Sequence, residues 1–430
     1  MQKRSHFLVG ASSAIGSLAL AGSAEAAYPK IMQPFQNGER PLAAFPQKRP
    51  LIVLTPRPPQ LETPFSVFDE GILTPNDAFF VRWHNADIPT DIDAAKHRIA
   101  VTGTERTLSL SIAELKAFEP VELIAVNQCS GNSRGLFGPR VPGGQWANGA
   151  MGNARWKGAR LRDILAKAGI KAGTKQIRFN GLDQPALPDG PDFMKSLDVE
   201  MARDENVIVA YEMNGFALPL LNGFPVRLVV PGWYSTYWVK MLSSIEALDH
   251  VDDNFWMKTA YRVPATPNNS VAPTDKGYPT VPISTMNVRS FLTNVKNGSV
   301  LASKPQELRG IAFDKGTGIA KVEYSTDGGE TWRMAALGRD FGRFSFRQFR
   351  AEITPKAGTA MMLATRATAG DGSIQVATPT WQPSGYMRNQ IETYKVTSHE
   401  ALRTRRNHRC LRRLATRQRR RPEDHPGLGR

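Results

Sequence analysis

Glycine and proline punctuate this chain throughout, with 36 and 31 of them in 430 residues. Turn-formers at that density break a sequence into short runs and predict a β-rich fold. The runs agree. Residues 97–103 (HRIAVTG) and 121–126 (VELIAV) read as strands, and PVRLVVPG as a buried one. NVIVAYEMNG-FALPL reads as strand, Asn-Gly turn and strand. Helices are few and short. Ser111-Ile-Ala-Glu114 is a capping box opening SIAELKAF, and RLRDILAKAG (160–169) is an amphipathic helix that ends at Gly169. From Pro282 to about Val396 the pattern is all-β: ELRGIAFD, KVEYSTDGGETW, FRAEITP and MMLATRATAG, joined by Asp-Gly and Gly-Gly turns, predict a sandwich. The length predicts about two domains, and 41% hydrophobic content allows each a core.

The two ends differ from the body. Lys3 and Arg4, an apolar small-residue run from Phe7 to Gly22, and Ala24-Glu25-Ala26 form an export-signal pattern over residues 1–26. KRSHFL is close to a twin-arginine signal but has Lys for the first Arg. The expectation is a periplasmic protein with no membrane span once the signal is removed. Residues 401–430 hold eleven Arg, no Lys and two acids, so they carry +9 of the formal +16. We read residues 398–430 as an atypical tail, disordered or out of frame, and not as a nucleic-acid signal. Cys410, which lies in it, receives no role.

Cys129, in NQCSGNSRG, is the one other cysteine. An exported protein usually pairs its cysteines, and this one has no sensible partner. Three readings stand: a buried structural thiol, a nucleophile, or a soft metal ligand. A nucleophile needs a base, and none of the seven His is near it in sequence. The segment follows a buried strand and enters a Gly-rich loop, which brings N–H groups and the cation of Arg134 close to the thiol.

VNQCSGNSRG resembles the molybdenum-binding segment of the sulfite oxidase family of molybdopterin enzymes. FFVRWH (79–84), VIVAYEMNGFALPLLNGFPVRLVVPGWYSTYWVKML (207–242), WMKTAYRVP (256–264) and VEYSTDGGETW (322–332) resemble further family segments in the family's order, over roughly residues 50–397. The resemblance implies an α+β chain: a mixed α/β molybdopterin domain (51–265) after a Pro-rich lead-in (27–50), a linker (266–281), and an immunoglobulin-like dimerisation domain (282–397). It implies molybdenum held by Cys129 and a single pyranopterin. Softness suits a thiolate to that metal. Arg82, Arg134 and Tyr261 match positions around the substrate, where guanidinium groups suit an oxyanion. Phe80, Val81, Arg82, Trp83, His84, Asp183, Asn222, Arg227, Trp238, Val239 and Lys240 match positions that contact the pterin. Asn222 departs from the family: the animal enzymes have His there, and Asn cannot carry a positive charge.

The implied reaction is oxidation of sulfite to sulfate. No C-x-x-C-H haem site is present, and the segment before the family match is too short for a cytochrome b5 unit. The electrons are therefore expected to go to a separate c-type cytochrome. The chain is expected as a homodimer or as a heterodimer with a cytochrome subunit. Rival readings are a sulfoxide or N-oxide reductase of the same superfamily, a Cys hydrolase, and a non-enzymatic exported binding protein. The paired Arg82 and Arg134 favour an anionic substrate over a neutral sulfoxide.

Overall fold

The computed structural model describes residues 30–32, 39–43 and 45–399. The export pattern and the tail beyond His399 lie outside the described residues. Strand Glu392–His399 runs two residues past the point where the resemblance ends.

Three five-stranded sheets build the N-terminal part. In the first, Lys30–Met32, Glu39–Ala43, Leu51–Pro56, Pro59–Glu62 and Val81–Arg82 lie side by side in chain order. The lead-in thus contributes two strands to the sheet that ends at Arg82. The second runs Met194–Asp198, Gln176–Asn180, Ser244–Leu248, Arg98–Thr102, Leu108–Ser111. Its pair Ser244–Leu248 and Arg98–Thr102 is parallel. The third runs Phe216–Ala217, Ile208–Met213, Met151–Arg160, Pro120–Gln128, with Arg227–Val229 joined to Ile208–Met213. Met151–Arg160 and Pro120–Gln128 pair over nine residues, so Gln128 sits opposite Met151. Trp156, Ile208, Val209 and Leu228 are fully buried in the core this sheet covers.

The helices form where the local chemistry predicts. Ser111 Oγ accepts from the Glu114 N–H, and the Glu114 carboxylate accepts from the Ser111 N–H, completing the capping box of Ile112–Lys116. Leu161–Ala168 turns Leu161, Ile164, Leu165 and Ala168 inward and stops at Gly169, whose φ of +77° is costly for any residue with a Cβ. No helix among the described residues is long and apolar enough to cross a membrane.

The C-terminal part is all-β. One sheet runs Arg289–Leu292, Gln306–Phe313, Arg347–Ile353, Ala336–Leu337; the other runs Val300–Ala302, Glu392–His399, Ala360–Ala369, Ile319–Ser325, Arg333–Met334. Leu308, Phe349, Val322, Leu363 and Val396 fill the space between them. Strand Glu392–His399 alternates buried and exposed at every residue, as a sheet with one face on a core requires. Between the two parts, the stretch read as a linker is bounded by a short hairpin of Arg262–Pro264 and Thr280–Pro282. A further apolar cluster joins residues of both parts, among them Phe68, Met151, Tyr234 and Tyr261 with Phe291, Phe313 and Phe346. That shared core brings the C-terminal part against the region of Cys129.

Candidate active site

Cys129 is the first residue past the end of strand Pro120–Gln128 and is 6% exposed. Its N–H donates to Ala150 O at 2.9 Å, and its carbonyl accepts from the Asn132 N–H at 2.9 Å. The residues after it are scaffold. Asn132 Oδ1 accepts from the Ala150 N–H at 3.0 Å and its Nδ2 donates to Asn148 O at 3.2 Å. Ser133, at φ +69°, donates from Oγ to Asn148 Oδ1. At Gly131 a Cβ would fall 2.7 Å from Arg134 Nη2, so only glycine lets that guanidinium pack there.

Glu62 braces the opposing loop. Its carboxylate accepts from the N–H groups of Gly149 at 2.8 Å and Ala147 at 3.1 Å. Burial pushes this carboxyl up to about 7, against the pull of those two bonds. The folded chain then holds a proton between pH about 4.5 and about 7 that the unfolded chain releases. Stability is therefore expected to fall as pH rises through that window, by on the order of 3 kcal/mol. Glu62→Gln is expected to flatten the fall, and urea unfolding of both proteins at pH 5 and pH 7.5 reads it.

Cys129 opens on a cavity of about 480 Å³, a figure that includes open space at its mouth. Four segments meet there: Phe80, Arg82 and His84; Asn127, Cys129 and Ser130; Leu221, Asn222 and Arg227; and Ser235, Thr236, Trp238 and Lys240. Phe193 and Tyr261 complete the wall. Among the described residues that line it there is no Asp or Glu.

Burial lowers Lys240 to about 7, and Arg227 adds to the effect while Asp183 opposes it. Burial alone lowers Arg227 to about 9. Lys195, fully buried behind Tyr261, is lowered to about 7 by burial. Its ammonium lies 5.6 Å from the Tyr261 ring centroid and donates to Trp256 O at 2.7 Å. Lys240, depressed by burial and by Arg227 and Arg82 at a cavity lined by no acid, points to a site for an anion.

Tyr261 and His84 form a hydrogen-bonded pair through Oη and Nε2. Burial raises the Tyr261 hydroxyl well above its ordinary value, so it stays protonated. Burial, then Arg82 and Lys240, hold His84 well below 6.5, so the ring is neutral. Phe193 stacks on that ring at 3.6 Å and 9° and fixes its plane. Tyr261 takes φ +55°, which is costly for a bulky residue and found where a site dictates the side chain's direction.

The structure thus brings Phe80, Arg82, His84, Cys129, Asn222, Arg227, Trp238, Lys240 and Tyr261 together. Val81, Trp83, Val239 and Asp183 are buried one layer behind. Trp83 serves as a platform: Lys240 Nζ lies 4.3 Å over its ring, and its indole donates to Leu221 O at 3.0 Å. Asp183, pushed up to about 6 by burial, faces Lys240 and not the cavity. Arg134, expected at the substrate, is likewise not among the residues lining this cavity. Its Nε donates to Ser384 O at 3.0 Å, its Nη1 to Gly144 O at 3.3 Å, and it lies 4.9 Å over the Tyr386 ring. Those bonds tie it to the C-terminal part. Tyr386 stacks on Tyr261 at 5.2 Å and 19°, so the second domain covers the Tyr261 side of the site.

Asn127, Ser130, Ser235 and Thr236 escaped the sequence reading, although each flanks a residue it singled out. Phe193, Lys195 and Tyr386 carried no local signal.

Two family models match the chain. Residues 85–256 match the oxidoreductase molybdopterin binding domain and residues 280–399 match the Mo-co oxidoreductase dimerisation domain. Sulfite oxidase of Gallus gallus is 32% identical over 371 residues, covering 82% of this chain and 79% of that protein. The chain belongs to the sulfite oxidase family. Mitochondrial sulfite oxidase of Mus musculus is 33% identical over 322 residues, and the match covers 71% of this chain and 57% of that protein. The chain therefore spans little more than half the length of that relative. The fold is shared with the sulfane dehydrogenase SoxCD from Paracoccus pantotrophus, at a TM-score of 0.68 and 24% identity over 80% of this chain and 85% of the other.

A molybdopterin oxidoreductase of this family takes a molybdenum–pterin cofactor, and the residues present fit it. His84 Nδ1, Asn127 Nδ2, Ser130 Oγ, Arg227 Nε and Thr236 Oγ1 are buried polar atoms without a partner among the described residues, and all belong to residues lining this one cavity. Unpaired buried polar atoms are costly, and a polar ring edge and a phosphate would pair them. Among the described residues no three His, Cys, Asp or Glu gather as a metal cage.

Proposed function

We propose that the protein oxidises sulfite to sulfate at this cavity. The observation that carries the reading is the meeting of Cys129, Arg82 and Tyr261 at a cavity rich in cations and lined by no acid. Overall, sulfite gains an oxygen from water and releases two protons and two electrons. When bound, the cofactor, with Cys129 as the one protein ligand to its metal, supplies two-electron oxygen-atom-transfer chemistry. The chain's own residues bind and orient. Arg82, at the end of strand Val81–Arg82, spends one N–H on Trp83 O at 2.7 Å and offers other donors to the anion. Tyr261 keeps its hydroxyl proton, so it presents a neutral donor and no second negative charge. His84 Nε2, hydrogen-bonded to that hydroxyl, orients the phenol. Arg227, Lys240 and the unpaired donors hold the cofactor. Tyr386, stacked on Tyr261, shields that pair from water.

The electrons pass to a separate c-type cytochrome. The protein works in the periplasm after loss of residues 1–26, carried there by a twin-arginine-type signal. Its C-terminal sandwich is an immunoglobulin-like module that pairs two copies, or one copy with a cytochrome subunit.

The test is molybdenum content by elemental analysis on protein exported from a host that makes the cofactor. Sulfite-dependent reduction of ferricyanide and of cytochrome c is measured on the same sample. About one metal per chain with sulfite activity is expected. Metal without sulfite activity would move the reading to a reductase of the same superfamily.

A further inference from the structure

Lys48 lies in the lead-in, outside every segment that carries the family resemblance, yet it is only 8% exposed. Its ammonium donates to Asn76 O at 2.6 Å, to Phe79 O at 3.0 Å and to Asn222 Oδ1. A lysine has three N–H donors, and all three are spent on uncharged acceptors. The neighbouring carboxylate, Asp77, is taken up by Arg49, at 3.0 Å from Nε and 2.9 Å from Nη2.

Asn222 connects this ammonium to the cavity. Its Nδ2 donates to Phe80 O at 3.0 Å, and its carbonyl accepts from Arg227 Nη1 at 2.8 Å. A residue of the cavity wall is thus held between two buried cations, with Lys48 at the side chain and Arg227 at the backbone. Neither cation has an ion-pair partner among the described residues. A buried charge without a partner is destabilising by several kcal/mol in order of magnitude. An anion in the cavity would supply the opposite charge that the described residues do not place in contact with this pair. Burial lowers Lys48 to about 7, with Asp77 opposing the shift.

We propose that Lys48 is a positioning residue for the cofactor: acting through Asn222, it sets and charges the stretch of cavity wall that receives the cofactor's phosphate. The inference rests on the molybdopterin reading of the cavity. It also accounts for Asn222. The amide carries no charge itself, but it is bonded directly to an ammonium that does.

The experiment compares Lys48→Met, Asn222→Ala and the double variant, purified loaded from a host that makes the cofactor. Release of the pterin is followed by its fluorescence. Each single variant is expected to release it about tenfold faster than wild type or more, and the double variant to stay within about threefold of the faster single, because the two side chains act as one unit. Wild-type release from Lys48→Met would overturn the proposal, as would a double variant whose acceleration is the product of the singles. Thermal unfolding separates positioning from a mere strut. Lys48→Met is expected to lower the midpoint of the loaded protein more than that of the pterin-stripped chain, and equal lowering of both would overturn the proposal. Wild-type protein that carries no pterin would instead defeat the cofactor reading itself.

Discussion

Cys129→Ser is expected to fold, to keep its pterin and to lose sulfite oxidation by at least about 10³-fold in kcat, which corresponds to roughly 4 kcal/mol or more on the barrier. The exchange is small in volume, and the bonds that place residue 129 are backbone bonds to Ala150 and Asn132. The local fold does not depend on the sulfur. The cofactor's grip rests elsewhere, on Arg227, Lys240 and the unpaired donors of Asn127, Ser130 and Thr236. What the substitution removes is a soft, polarisable ligand, and an alcohol oxygen is a hard one. The measurement is turnover with sulfite and ferricyanide beside pterin content and an unfolding curve on the same preparation. Substantial turnover in the variant would sink Cys129 as the metal's ligand. Loss of the pterin together with the fold would show that the thiol is a core residue, the blandest reading of a lone buried cysteine.

Part of this site was legible because its residues are contiguous in sequence. Cys129 with its loop, Phe80 to His84, Asn222 to Arg227 and Trp238 to Lys240 each lie within a few residues of a strand end or a turn rich in Gly and Pro. Such short segments keep their spacing when the chain folds. The same holds for the capping box at Ser111 and the helix stop at Gly169, where one local interaction decides the outcome. The illegible part is made of long-range contacts. Arg134 meets Ser384 across 250 residues, and Lys48 meets Asn222 across 174. No periodicity or motif reports such pairs. The lead-in, read as Pro-rich, pairs as two strands because its partner, Leu51–Pro56, presents a free edge. In the other direction, FALPL forms only a two-residue strand, Phe216–Ala217. Pro219 lacks the N–H that a longer ladder would use.

Arg82→Gln is expected to raise KM for sulfite by about 10–100-fold with a smaller change in kcat, the cost of losing a charged hydrogen bond to an anion, about 1.5–3 kcal/mol. Arg134→Gln is expected to behave differently, although sequence places both arginines at the substrate. Arg82 lines the cavity and spends a single N–H on the chain. Arg134 is 8% exposed, with its guanidinium committed to Ser384 O, Gly144 O and the face of Tyr386. Its larger effect is therefore on the fit between the two parts of the chain, which shows as a lower unfolding midpoint and a loss on the order of 1–3 kcal/mol. Its effect on KM is indirect, through Tyr386 and the stacked Tyr261. Sulfite titrations and thermal unfolding on both variants separate the two roles. Equal rises in KM with unchanged unfolding would place Arg134 in direct contact with the anion and return it to the position its motif implies.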